Sequence, residues 1–92
     1  MKSIDEAAKY MSEMGRAVRP HLIAPEGTWS GKDGHLRLAR ECGYALRDFD
    51  EPSQQYILQA SYSTIYIVGC NLKPILDAKE WIAEMKKGME RK

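Results

Sequence analysis

Apolar residues recur at helical spacing from the first turn of the chain. Ile4, Ala7, Ala8, Met11, Met14 and Val18 fall on one side of a 3.6-residue period, and polar residues fill the other. Ahead of them Ser3-Ile4-Asp5-Glu6 is a capping-box pattern, in which Ser3 accepts from the backbone at Glu6 and Glu6 reaches back. Pro20 is expected to stop the run. The next stretch, HLIAPEGTWSGKDG, is broken by Pro25, Gly27, Gly31 and Gly34 and reads as a loop, with room for a short strand at His21–Ala24.

HLRLARECGYALRDF, His35 to Phe49, fits two periods. As a strand it places Leu36, Leu38, Cys42, Tyr44 and Leu46 on one face, together with Arg40, an expensive charge for a small core. As a helix it gathers Leu38, Ala39, Cys42, Ala45, Leu46 and Phe49 into one stripe and sends Arg37, Arg40, Glu41, Tyr44, Arg47 and Asp48 outward. Asp33 is placed to cap it, and the objection is Gly43, which costs about 1 kcal/mol against Ala in a helix interior. The helix is the better reading.

Turn chemistry follows in DFDEPSQ. YILQASYSTIYIVGC is then crowded with Tyr, Ile, Val and Thr, which favour a pleated surface. Two antiparallel strands are expected, near Gln55–Ala60 and Thr64–Val68, joined around Ser61–Ser63; the competing reading starts a helix at Pro52. In the last element Asn71 is the expected cap, Pro74 sits in the first turn, and Ile75, Ala78, Ile82, Met85 and Met89 trace one face with Trp81 beside it. The expected fold is therefore α+β, with three amphipathic helices packed with a small antiparallel β-sheet. At 92 residues a second core would leave both too small, so residues 1–92 are expected to form a single domain.

Charge changes the picture by exclusion. A formal +1, from 14 basic and 13 acidic side chains, fits neither an acidic DNA mimic nor a generic basic DNA coat. The two cysteines make no disulfide scaffold, the N-terminus has no apolar signal region, and TIYIVGC is too short for the roughly 20 residues of a membrane span. A cytoplasmic protein is expected, with no membrane contact.

Catalytic and metal motifs do not assemble. Gly27-Thr-Trp-Ser-Gly31-Lys32-Asp33 resembles a phosphate-binding loop but has three residues between its glycines, and Asp33 where a hydroxyl should hold magnesium. His21, His35, Cys42 and Cys70 are the right residue types for zinc, yet they lie 14, 7 and 28 positions apart without a close pair. Cys42 and Cys70 read as small core residues. Glu80 and Glu84 read as a solvated pair on the outer face of the last helix, beside lysines. No catalytic residue, cofactor or metal is expected, and the protein is not expected to be an enzyme.

The remaining feature is a basic, aromatic ridge. Arg37, Arg40, Tyr44 and Arg47 would line about 15 Å of the outer face of helix two. Guanidinium forks match phosphates, and an aromatic ring can stack on a base. Arg16 and Arg19 at the end of helix one, with Lys32 just before helix two, would widen it. The plainer reading is a solvated face in which Glu41 and Asp48 balance the arginines. Three arginines among acids bind naked nucleic acid weakly, so a composite of protein and RNA suits the ridge better than free DNA.

KSIDEAAKYMSEMGRAVRP at one end and STIYIVGCNLKPILDAKEWIAEMKKGMERK at the other give the whole chain the look of a small phage protein. It resembles the anti-CRISPR inhibitors of type I-F interference. The resemblance implies a non-enzymatic inhibitor, acting in the host bacterial cytoplasm, that binds the multi-subunit Cas protein complex with its guide RNA and blocks target DNA recognition. The ridge and Trp29 are then the contacts to test, direct bonds to RNA phosphates included, and a monomer is expected when free. Two alternatives stay open: a regulator binding duplex DNA as a dimer, and a phage protein-interaction or assembly module.

Overall fold

The computed structural model describes residues 2–22, 31–68 and 76–90, with the backbone alone at 19–22 and 63–68. It is helical throughout: α1 (Ile4–Leu22), α2 (Gly31–Ala45), a 3-10 turn at Leu46–Asp48, α3 (Glu51–Val68) and α4 (Ala78–Glu90). Among the described residues no β-sheet is present, and one isolated parallel bridge joins Lys2 to Phe49.

The expected hairpin at Gln55–Ala60 and Thr64–Val68 is thus corrected to a continuous helix. Its start is built by Asp50, whose Oδ1 accepts the Ser53 N–H at 2.9 Å while its carbonyl accepts the Gln54 N–H at 2.9 Å. Pro52 falls in the first turn, where the N–H it lacks has no helical partner to lose. Ser53, Ile57, Leu58 and Ser61 are buried, a helical row that alternation misses because two of its members are small and polar. The Ser61 hydroxyl donates to the Leu58 carbonyl at 2.9 Å and so enters the core satisfied. The β preference of Tyr, Ile and Val is worth about 1 kcal/mol at most across the scale and yields to this packing.

Of its expected stripe helix α1 buries Ala7, Met11, Met14 and Val18, while Ile4 and Ala8 are exposed; Asp5 and Glu6 in the first turn favour the positive end of the dipole. It does not stop at Pro20 but runs on to Leu22. Proline removes its own bond to the carbonyl four residues back and crowds that carbonyl, but it stands two residues from the helix end, where few later bonds depend on it. His21 and Leu22 are accordingly helical rather than the start of a strand, and residues 23–24 lie outside the described residues.

Helix α2 begins at Gly31 (φ +79°), two residues ahead of the expected cap, so Asp33 sits inside the first turn. The helix ends at Ala45, and Phe49 leaves it in extended conformation, its N–H donating to the Leu46 carbonyl at 3.0 Å. This junction is pinned from two sides. Lys2 donates to the Asp48 carbonyl (2.8 Å) and accepts from Asp50 (3.0 Å). Gln54 Nε2 donates to the carbonyls of Leu46 (3.0 Å) and Phe49 (3.1 Å). The Phe49 ring, 1% exposed, packs at 5.3 Å from Tyr10 with Lys2 Nζ above it.

Helix α4 is capped by Asp77, whose Oδ1 accepts the Glu80 N–H at 2.8 Å; Asn71, Pro74 and Ile75 lie outside the described residues. Its buried row is Ala78, Trp81, Glu84, Met85 and Gly88, so Trp81 is central rather than flanking. The principal pairings are α2 with α4, α1 with α3, and α3 with α4, while α1 and α2 barely touch. The α2–α4 crossing is antiparallel and tight. A Cβ at Gly43 would fall against the backbone of Met85, and one at Gly88 against the backbone of Arg40. The residue that counted against a helix is thus what lets this one approach its neighbour.

Candidate functional site

The expected ridge divides. On a helix, positions seven residues apart differ by about 20° in direction, whereas positions three apart differ by about 60°. Arg37 and Tyr44 accordingly share one outward line, exposed, with Glu41 exposed beside them. Arg47 is exposed in the following 3-10 turn, its guanidinium 5.3 Å from the centroid of the Tyr44 ring. A shallow depression there is lined by Tyr44, Ala45, Arg47 and Asp48.

Arg40 is not part of this line. It leans toward α4, where its Nε donates to Glu84 Oε2 at 2.8 Å, and Lys87 Nζ reaches Glu84 Oε1 at 2.9 Å. Glu84 is only 7% exposed, so the expectation of a solvated outer-face carboxylate is corrected as well. Lys87 first, and Arg40 with it, hold the Glu84 carboxyl below the usual carboxylate range against the opposing effect of burial. Arg40 therefore meets a nearly buried anion across the helix crossing, and its charge is used within the fold.

The other expected contacts are scattered. Lys32 is exposed in the first turn of α2. Arg16 is exposed on the side of α1 opposite its buried row, on a different helix from the ridge. Arg19 is in the last turns of α1 with its side chain outside the described residues, and Trp29 lies outside them altogether. Along residues 31–48 the exposed charges are Lys32, Arg37 and Arg47 against Asp33, Glu41 and Asp48. The surface is charge-balanced, with an arginine–tyrosine stack at one end.

The nucleophile and metal candidates are placed as follows. His35 is 1% exposed on the inner side of α2. Cys42 is half-buried, and burial pushes its thiol up to about 11, with Glu41 adding to the shift and a hydrogen bond from Tyr10 opposing it. The Tyr10 hydroxyl donates to the Cys42 carbonyl at 3.3 Å, and burial raises its own pKa too. A thiol with so little thiolate at neutral pH is a poor nucleophile. The side chains of His21 and Cys70 lie outside the described residues. Among the described residues no three of His, Cys, Asp or Glu stand close enough to hold a metal ion.

Two surfaces escape a reading by motif. One is an apolar groove between α1 and α2, lined by Tyr10, Met14, Ala17, Val18, Leu38 and Cys42 with Glu13 at its rim. The other is the outward side of α3, where Gln55, Tyr56, Gln59 and Tyr62 are exposed. Its signal in the sequence is the absence of any Asp, Glu, Lys, Arg or His between Glu51 and Lys73. Among the described residues no helix is long and apolar enough to cross a membrane. Neither a protein-family model, nor a curated protein sequence, nor a solved structure matches the chain.

Proposed function

We propose that the protein is a non-enzymatic inhibitor that docks on a CRISPR guide-RNA surveillance complex and blocks recognition of target DNA. The observation that carries the reading is the exposed line of Arg37 and Tyr44, with the Arg47 guanidinium stacked on the tyrosine ring, on a helix whose other side is fixed in the core. A guanidinium backed by an aromatic ring offers its donors to a phosphate with less rotamer freedom to lose, and the ring edge remains available to a base or a peptide. The whole-chain resemblance to type I-F inhibitors supplies the identity of the partner.

Magnitudes argue for a composite surface. Two arginines neutralising two phosphates give a salt slope of only about −1.4 on single-stranded RNA, too little for tight binding to RNA alone. The acids beside them, Asp33, Glu41 and Asp48, oppose a bare polyanion and suit a surface that also presents lysines or arginines of a protein subunit. A duplex-DNA regulator fits this charge balance less well.

Size-exclusion chromatography of the protein mixed with a type I-F guide-RNA complex tests the reading. Co-elution, followed by failure of the eluted complex to shift a target duplex, is the expected result. Separate elution with target binding intact removes it.

A further inference from the structure

Asp, Glu, Lys and Arg make up 29% of the chain, yet none of them, nor any His, occurs between Glu51 and Lys73. Burial accounts for only part of this. Ser53, Ile57, Leu58 and Ser61 face the core, but Pro52, Gln55, Tyr56, Gln59 and Tyr62 face outward, with Tyr56 41% and Tyr62 43% exposed. A solvated helix face ordinarily takes charged residues. Depletion of charge with enrichment of tyrosine is instead the composition of the centre of a protein interface.

We infer that this side of α3 pairs with the same side of a second copy of the chain, the two helices antiparallel about a two-fold axis. In a two-fold contact each group near the axis meets its own equivalent, so a charge there would meet a like charge. Here it meets none. The polar groups present are of the kind that can bond to themselves: a glutamine amide and a tyrosine hydroxyl each donate and accept, whereas an ammonium only donates and a carboxylate only accepts. Gln55, Gln59 and Tyr62 lie four and seven residues apart along one line. Tyrosine rings add apolar area at low entropic cost. Antiparallel pairing also sets the exposed Glu51 of one copy beside the far end of the other helix, away from its own equivalent.

The 18 residues of α3 span about 27 Å, so a contact through this helix alone falls short of the roughly 800 Å² per partner of a standard interface. The contact is accordingly of the weak, transient class. The free monomer expected from the resemblance differs from this pairing, which rests on residues 55–60 being helical. As a helix, this segment presents a surface that a sheet would have divided between two faces.

Sedimentation velocity on the full chain, from about 1 to about 500 μM, covers the range in which a weak contact assembles and tests the inference. Wild type should pass from monomer to dimer over this range. Gln55→Lys with Gln59→Lys, and separately Gln55→Glu with Gln59→Glu, should each associate at least about tenfold more weakly. An equimolar mixture of the two variants should dimerise again. Both positions are exposed, so circular dichroism melts should match wild type. A wild type that stays monomeric at the highest concentration, or variants that both self-associate as wild type does, overturns the proposal. No guide-RNA complex is present in this experiment, so its failure leaves the inhibitor reading standing, and the reverse also holds.

Discussion

Replacing Gly43 with Ala should destabilise the protein, although the same change in an exposed helix interior is stabilising by about 1 kcal/mol. The added methyl would stand 2.6 Å from the carbonyl carbon and 2.8 Å from the Cα of Met85, with the Met85 carbonyl oxygen closer still. These are backbone atoms of a helix, and no rotamer moves them aside. Ordinary carbon contacts of about 3.5–4.0 Å return only if α2 and α4 separate by roughly 1 Å. That separation loosens Trp81, Met85, Leu38 and Ala39, all buried, and overpacking of this kind costs about 1–3 kcal/mol, occasionally more. Taking about 3 kcal/mol of overpacking against about 1 of helix propensity leaves about 2 kcal/mol, a fall in Tm of roughly 8–16 °C for a domain of this size. Gly88→Ala, aimed at the Arg40 backbone, should act alike. The double variant should lose less than the sum, because one separation relieves both contacts. Thermal and urea melts followed by circular dichroism read all three. A Gly43→Ala protein as stable as wild type, or more so, refutes the backbone-to-backbone crossing.

Three further outcomes follow from the same structure. Glu84→Gln should cost about 1 kcal/mol at pH 7, more than most surface ion pairs because the carboxylate is shielded while Arg40 and Lys87 both reach it. The fold lowers the Glu84 pKa, so the unfolded chain takes up the proton first as pH falls, and the stabilisation is complete only above the unfolded carboxyl value of about 4.3. The gap between wild type and Glu84→Gln in urea melts should therefore close as pH drops through and below that value; a gap that widens in acid contradicts the assignment. Cys42, with its thiol raised to about 11, should resist a thiol reagent at pH 8 and label fully in urea, read by mass spectrometry of the peptide; rapid labelling of the native protein contradicts its burial. Arg37→Ala and Arg47→Ala, at exposed positions where a surface contact is worth little, should each shift stability by no more than about 1 kcal/mol in the same melts.

What the sequence made legible depended on whether one period dominated. Ala7, Met11, Met14 and Val18 repeat without interruption, and α1 forms on them. For α2 the stripe of Leu38, Ala39, Cys42, Ala45, Leu46 and Phe49 faces inward, with Cys42 and Ala45 half-buried and Leu46 and Phe49 buried just past the helix end. The helix cost of Gly43 is real, but the close approach that outweighs it lies on α4. In α3 the buried row includes Ser53 and Ser61, which a hydrophobic pattern does not count, so the β preference of the tyrosines and isoleucines prevailed. The ridge divides at Arg40 for a related cause. Its partner Glu84 is 44 residues away, and only the antiparallel α2–α4 register brings the two together. A charge-free run was visible throughout, but its outward half acquires meaning only once residues 51–68 are a helix.

The most direct test of the inhibitor reading is a titration of wild type and of the Arg37→Ala, Tyr44→Ala, Arg47→Ala variant against a type I-F guide-RNA complex bound to labelled target duplex, followed by fluorescence anisotropy. Wild type should abolish duplex binding, and the variant, its fold checked by circular dichroism, should need at least about tenfold more protein to do so. If wild type leaves duplex binding unchanged, the protein is not an inhibitor of this complex. If both inhibit equally, the exposed line on α2 is not the contact.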